Sequence, residues 1–246
     1  MGMKTAVLIS GQPRFTREFD EFLSNLKNYD QLDFFFYLWD SKPEDSKLIP
    51  PTWPSTQEDI KSKILSNLPA NSNIARLEII PQPDYIPTRN YNSTPWTILP
   101  NMWRMFYGIK QVNQLREEWE NKYGTYDLII RARPDIGLES SLNLIEVKNY
   151  LDQNINTVLV PNNHRNGVGI SINDMIGVGS SQSMSVYARV YDYLDHYHDA
   201  DVPYHNETLL GHHLNVNGIV YPGNNINALF RKYSNENTEI DYGRWL

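Results

Sequence analysis

The stretch that most constrains the fold is Tyr126-Asp127-Leu128-Ile129-Ile130-Arg131-Ala132-Arg133-Pro134-Asp135. Its apolar run, residues 128–130, reads as a strand buried on both faces. Successive strand side chains point to opposite faces, so Arg131 and Arg133 share one side and Ala132 takes the other. Pro134 has no N–H and a fixed φ, so a hydrogen-bonded ladder stops there. Asp135 then falls just past the carboxyl end of a strand, where open α/β sheets bind their ligands. Two readings fit these residues. One is a strand-end turn closed by an Arg–Asp ion pair. The other is a site in which the carboxylate holds a divalent cation and the guanidiniums grip phosphate oxygens.

The rest of the chain alternates strand and helix patterns around that stretch. Residues 4–10 form an apolar run bounded by Gly11, a buried first strand. The loop leaving it, Ser10-Gly11-Gln12-Pro13-Arg14, offers a glycine that lets backbone approach a ligand and an arginine that can reach a phosphate. A plain strand-to-helix turn is the other reading. Apolar residues at helical spacing over 15–29, with Thr16 as N-cap, predict a helix whose phenylalanines face the core. Residues 32–39 read as a second buried strand ending at Asp40. An acid there serves either a ribose hydroxyl or the cap of the next loop.

Four prolines in 41–54 and four more in 81–95 mark two surface loops, the second a lid or a linker. Between them lie a helix over 57–68 and a strand over 74–80. The longest helical pattern covers 96–122, with Pro100 near its start and Gly124 just past its end. A helix over 140–152 and a strand over 157–160 follow, then a polar glycine-rich loop over 162–169. Residues 173–179 read as a strand with Asp174 at its head. Ser180 or Ser181 then caps a helix running to about His196. Glu207 sits in the first turn of a last helical stretch, where the helix dipole alone favours an acid. A short strand over 219–221 precedes an aromatic-bearing tail that is either docked or flexible.

Composition removes whole classes of chemistry. The chain of 246 residues has a formal net charge of −7, a poor match for general nucleic-acid binding. It has no cysteine, which excludes disulfides, thiolate catalysis and Cys-ligated zinc. No stretch has the length of a transmembrane segment, and the N-terminal residues carry no signal-peptide pattern, so a cytoplasmic location is expected. Gly177-Val178-Gly179 is followed by Gln182 where a dinucleotide fingerprint wants Gly or Ala, and no P-loop is present. Five of the six histidines fall between His196 and His213, but their spacing does not converge on one helix face. A dedicated zinc site is not expected. One histidine joining Asp135 on a single cation is the more reasonable arrangement.

Several of these pieces, in this order, are similar to a known family. They are Ser10-Gly11-Gln12-Pro13-Arg14 after the first strand, Trp39-Asp40-Ser41 after the second, the Tyr126–Asp135 block, Asp174 to Gly179 followed by Ser180-Ser181, and Glu207-Thr208-Leu209-Leu210. Together they resemble GT-A-fold glycosyltransferases of the kind found in bacterial polysaccharide loci and large viruses, over roughly residues 4–221. The resemblance implies an α/β, Rossmann-type fold with a mixed, mostly parallel central sheet flanked by helices. It implies a single domain, with a nucleotide-binding half over about residues 1–135 and an acceptor-binding half over about 136–246. The implied partners are a nucleotide-sugar donor and a glycan or glycolipid acceptor.

In that family an Asp-x-Asp motif holds Mn²⁺ or Mg²⁺ and the donor diphosphate. Here the matching triplet is Arg133-Pro134-Asp135, so only Asp135 carries over as metal ligand, and Arg133 stands where a cation does part of the neutralisation. Ser10, Gly11, Arg14, Asp40, Arg131, Arg133 and Asp135 are the implied donor-binding residues. Glu207 and Asp174 are the candidates to take a proton from the acceptor hydroxyl, with Glu207 slightly ahead. A non-catalytic nucleotide- or carbohydrate-binding domain of the same fold is the alternative.

Overall fold

The structure, a computed structural model, describes residues 2–13, 15, 17–40, 56–87, 89–91, 97–161, 172–222, 228–230, 232–233 and 239–240. In chain order the elements are β1 (Lys4–Gly11), α1 (Arg17–Asn25), β2 (Leu26–Lys27), β3 (Gln31–Trp39), α2 (Gln57–Asn67), β4 (Ser72–Ile80) and α3 (Leu99–Tyr123). They continue with β5 (Leu128–Ala132), β6 (Ile136–Leu138), β7 (Leu142–Asn143), α4 (Leu144–Gln153), β8 (Val158–Leu159) and β9 (Ile176–Gly179). Last come α5 (Ser181–Tyr187), a 3₁₀ segment (Ala188–Tyr193), α6 (Leu194–Asp199), α7 (Asn206–Val216), β10 (Ala228–Phe230), β11 (Lys232–Tyr233) and β12 (Glu239–Ile240).

Six strands form the central sheet in the order β4-β3-β1-β5-β9-β8. The first four are parallel, and β9 runs antiparallel to both β5 and β8. This is an α/β architecture with a mixed, mostly parallel sheet flanked by helices. From β1 the chain moves outward to β3 and β4, then returns through α3 to place β5 on the other side of β1. The order therefore reverses between β1 and β5. A crevice opens at such a switch point, beyond the carboxyl ends of the strands.

Burial on both faces explains the unbroken apolar runs. In β3, Phe34 and Phe36 pack toward Phe19, Phe22, Ile60 and Ile64 of α1 and α2. Phe35 and Tyr37 pack toward Phe106, Ile109 and Val112 of α3 on the opposite face. Each fully buried phenylalanine contributes about 2–3 kcal/mol by removing its apolar surface from water. In β5 the same alternation sends Ile130 and Ala132 to the α1/α2 side and Ile129 to the α3 side. Arg131 follows Ile129 in that alternation and lies under the helices of the α3 face.

Two local devices fix the helices of that face. Gly108 lets α3 press onto the tips of β1 and β3, since a Cβ there would meet Trp39 Cζ2 at 3.3 Å and the Ser10 Cβ at 3.4 Å. Arg116, fully buried on α3, donates to Glu120 at 2.5 Å, Asn113 at 2.6 Å, Ser181 at 2.5 Å and Ser185 at 2.8 Å, tying α3 to α5. Removing one member of such a buried ionic network costs about 3–5 kcal/mol.

The predicted elements need several corrections. The first helix is shorter than its 15–29 pattern because residues 26–27 pair with β7, and the Thr16 cap lies outside the described residues. The predicted 181–196 helix is broken into α5, the 3₁₀ segment and α6. Residues 219–221 supply only an isolated bridge, Val220 with Thr157, rather than a strand. The strand expected over 173–179 begins at Ile176, so Asp174 precedes it. The 162–169 loop lies outside the described residues. Among the described residues, no helix is long and apolar enough to cross a membrane.

Candidate functional site

A cavity of about 330 Å³ opens at the switch point between β1 and β5. The floor comes from Ser10 and Gly11 at the end of β1, Gln12 just past it, and Arg131, Arg133 and Asp135 at and after β5. Gly11 is there for its backbone: its φ is 109°, while open space surrounds the position a Cβ would take. That conformation strains any L side chain. Trp39 at the end of β3 and the first turns of α3, including Asn101, Met102 and Arg104, form one wall. Asp174 and Asn206 form the other.

The direction of β9 places Asp174 there. Because β9 is antiparallel to β5, the residues entering β9 lie beside the residues leaving β5. Ala132 pairs with Ile176, and the Arg133 N–H donates to the Met175 carbonyl at 3.2 Å. Two stretches some forty residues apart thus meet at one mouth. Glycines allow α5 to close over this edge. A Cβ on Gly177 would lie 2.9 Å from the Tyr187 ring, and one on Gly179 would meet Met184 at 3.2 Å. The Gly-Val-Gly run is packing space rather than a phosphate loop.

The two arginines of β5 have different states. Arg133 makes a two-pronged pair with Asp135, Nε to Oδ1 at 2.9 Å and a terminal nitrogen to Oδ2 at 2.8 Å. Burial works against its charge, but Asp135, and behind it Asp174, more than offset that, and the Arg133 pKa is raised. The ion-pair reading of this turn is therefore present in the structure, and it sits on the cavity floor.

Arg131 is 1% exposed. One of its terminal nitrogens donates to the Asp174 main-chain carbonyl, and its Nε has no hydrogen-bond partner among the described residues. The acceptor it meets is a neutral carbonyl, whereas Arg133 has a carboxylate. Tyr187 lies against it: burial pushes that hydroxyl up to about 12, with Arg131 pulling in the opposite direction. A guanidinium kept from water without a carboxylate on it costs several kcal/mol.

Asp174 on the far wall acts electrostatically on Glu207 behind it. The Asp174 carboxylate accepts from the Asn206 amide and is buried. Glu207, in the first turn of α7, has its pKa pushed up to about 7 by burial and then by the Asp174 charge. His205, next to it, is held below its ordinary value by burial, partly opposed by Asp174.

Of the predicted site residues, the cavity brings together Ser10, Gly11, Arg131, Arg133, Asp135 and Asp174. Glu207 adjoins the wall residue Asn206 without lining the cavity. Asp40 is not brought in: it follows β3, its N–H donates to the Ile80 carbonyl at 2.8 Å, and Trp39 takes the lining position beside it. Arg14 lies outside the described residues. None of the described histidines lines the cavity, and the buried His213 has both ring nitrogens engaged, by the Tyr197 hydroxyl at 2.6 Å and the Val186 carbonyl at 2.9 Å. Sequence reasoning missed Asn101, Arg104 and Asn206. For the α3 pair, an uncapped helix start beside a proline was the available signal. No protein-family model matches the chain, and no curated protein matches it.

The donor set can be compared with what Mn²⁺ or Mg²⁺ requires. Hard cations take several oxygen ligands, chiefly carboxylates. The described carboxylates on the cavity wall are Asp135 and Asp174. Both Asp135 oxygens receive the Arg133 fork, and Asp174 receives the Asn206 amide. A cation at Asp135 would face a guanidinium already bound to the same carboxylate. With Arg104, Arg131 and Arg133 against two aspartates, the lining suits an anion better than a divalent cation.

Proposed function

We propose that the protein is a GT-A-type glycosyltransferase that moves a sugar from a nucleotide-diphospho-sugar to a hydroxyl of a glycan or glycolipid acceptor. The observation that carries this reading is the position and charge of the cavity. It lies at a switch point beyond the carboxyl ends of parallel strands, it is lined by three arginines, and a carboxylate lies on the opposite wall. The chain as a whole is acidic, so this concentration of guanidinium is local. A cytoplasmic location and a role in polysaccharide biosynthesis go with the proposal.

The chemistry follows from charge. The bond between the anomeric carbon and the diphosphate oxygen breaks, and its electron pair leaves on the diphosphate. Arg131 and Arg133 stabilise that growing negative charge in a site partly screened from water. The acceptor oxygen bonds to the anomeric carbon, and its proton passes to a carboxylate. Asp174 is the acid on the cavity wall. Glu207 behind it, with a pKa near 7, is matched to proton transfer at neutral pH. Trp39 and the neighbouring α3 side chains bound the space left for the sugar.

Incubation with UDP-, GDP- and CMP-sugars tests the proposal. Release or transfer of sugar, lost in Arg131→Met and sharply slowed in Glu207→Gln with donor affinity retained, is the expected result. The closed Arg133–Asp135 pair favours a second reading, a nucleotide-binding domain without turnover. Thermal stabilisation by a nucleotide-sugar with no sugar released from any donor would establish that reading instead.

A further inference from the structure

We infer that the cavity takes the diphosphate of its ligand without a divalent cation, with buried Arg131 as the charge that meets it and Asp135 engaged in holding Arg133 rather than coordinating a metal. This rests on the nucleotide-sugar reading for the identity of the ligand, but its physical basis is independent of that reading. A buried guanidinium that donates to a neutral carbonyl and leaves its Nε unmatched among the described residues is electrostatically incomplete. It lines the cavity, so an anion entering there supplies the missing negative charge. Asp135 has the opposite problem for a metal: both oxygens are already spanned by the Arg133 fork, at 2.9 and 2.8 Å.

The two arginines therefore divide the work. Arg131 is fixed, its end held by the Asp174 carbonyl and its flank by Tyr187. Arg133 is partly exposed and sits on a carboxylate that competes with any incoming phosphate. Asp135 then acts as a stand-in for the ligand's own negative charge. Neutralising it frees the Arg133 fork for phosphate, so Asp135→Asn tightens anion binding where loss of a metal ligand would weaken it.

Calorimetric titration of the full chain with inorganic pyrophosphate and with UDP and GDP, in EDTA and in millimolar Mn²⁺, tests this directly. The expected result is binding of pyrophosphate in EDTA, changed by less than about threefold with Mn²⁺, and strengthened a few-fold in Asp135→Asn. Arg131→Met is expected to lose at least about tenfold in affinity while its melting temperature holds or rises, because an uncompensated buried charge has been removed. Binding that requires Mn²⁺ and is lost in Asp135→Asn would overturn the inference and leave the glycosyltransferase reading standing. Pyrophosphate binding in EDTA, with nucleoside diphosphates no tighter, would support the inference and remove the nucleotide-sugar reading. No binding of any of these anions under either condition would overturn both.

Discussion

Glu207→Gln is expected to make the protein more stable at alkaline pH and to do so far less at acid pH. An ordinary glutamate ionises near 4.5, whereas burial and the nearby Asp174 charge push Glu207 up to about 7. Between those values the folded chain keeps a proton that the unfolded chain releases. Stability therefore falls as pH rises from 4.5 to 7, and the penalty is complete above 7. The difference corresponds to a ceiling of about 3 kcal/mol at pH 8 and less than about 1 kcal/mol at pH 5. Glu207 is only partly buried, so solvent screening reduces the pH 8 figure to about 1–2 kcal/mol. Glutamine keeps the shape without the charge, so the variant recovers that amount. For a chain of this length the recovery is a rise of roughly 2–8 °C in melting temperature at pH 8. Urea unfolding of the variant and the parent at pH 5 and pH 8 measures it. An equal gain at both pH values, or a loss at pH 8, would show that Glu207 does not carry a suppressed charge.

Two further outcomes are expected. Gly177→Ala puts a methyl 2.9 Å from the Tyr187 ring, so it destabilises by about 1–3 kcal/mol, readable by chemical denaturation. An unchanged denaturation midpoint would mean that α5 can move away from β9. Burial holds the His213 pKa below its ordinary 6.5, with His212 lowering it further and Asp192 and the Val186 carbonyl opposing. Its contribution to stability is thus complete above 6.5 and lost as pH falls below that, by up to about 1.4 kcal/mol per pH unit. His213→Gln should flatten that part of the stability–pH curve relative to the parent, and an unaltered slope would assign the acid sensitivity elsewhere.

What was legible in the sequence was local. The apolar run 128–130, ended by Pro134, located both the strand and the tip that lines the cavity, where Arg131 and Arg133 both lie. The Ser10-Gly11 loop was legible only as two alternatives, a ligand-approach loop or a plain turn, and the structure puts Ser10 and Gly11 on the cavity floor. Strand direction was not legible. A hydrophobic period is the same read up or down, so nothing in residues 173–179 said that β9 opposes β5. That reversal is what brings Asp174 to the mouth of the cavity. Asp40 had as good a claim as Asp135 from position alone. It lost because Trp39 turns into the cavity and Asp40 follows the backbone toward Ile80. The break between α5 and α6 was hidden because residues 181–196 contain no proline or glycine.

The stacked rings beside the cavity have a practical consequence. Trp39 lines the cavity and lies nearly parallel to Tyr107, which in turn stacks on Trp103 at 5.5 Å. An indole whose emission is governed by contact with a neighbouring phenol is sensitive to whatever displaces solvent on its other side. Ligand entry is therefore expected to change the Trp39 share of the emission from the six tryptophans, a change that Trp39→Phe should abolish.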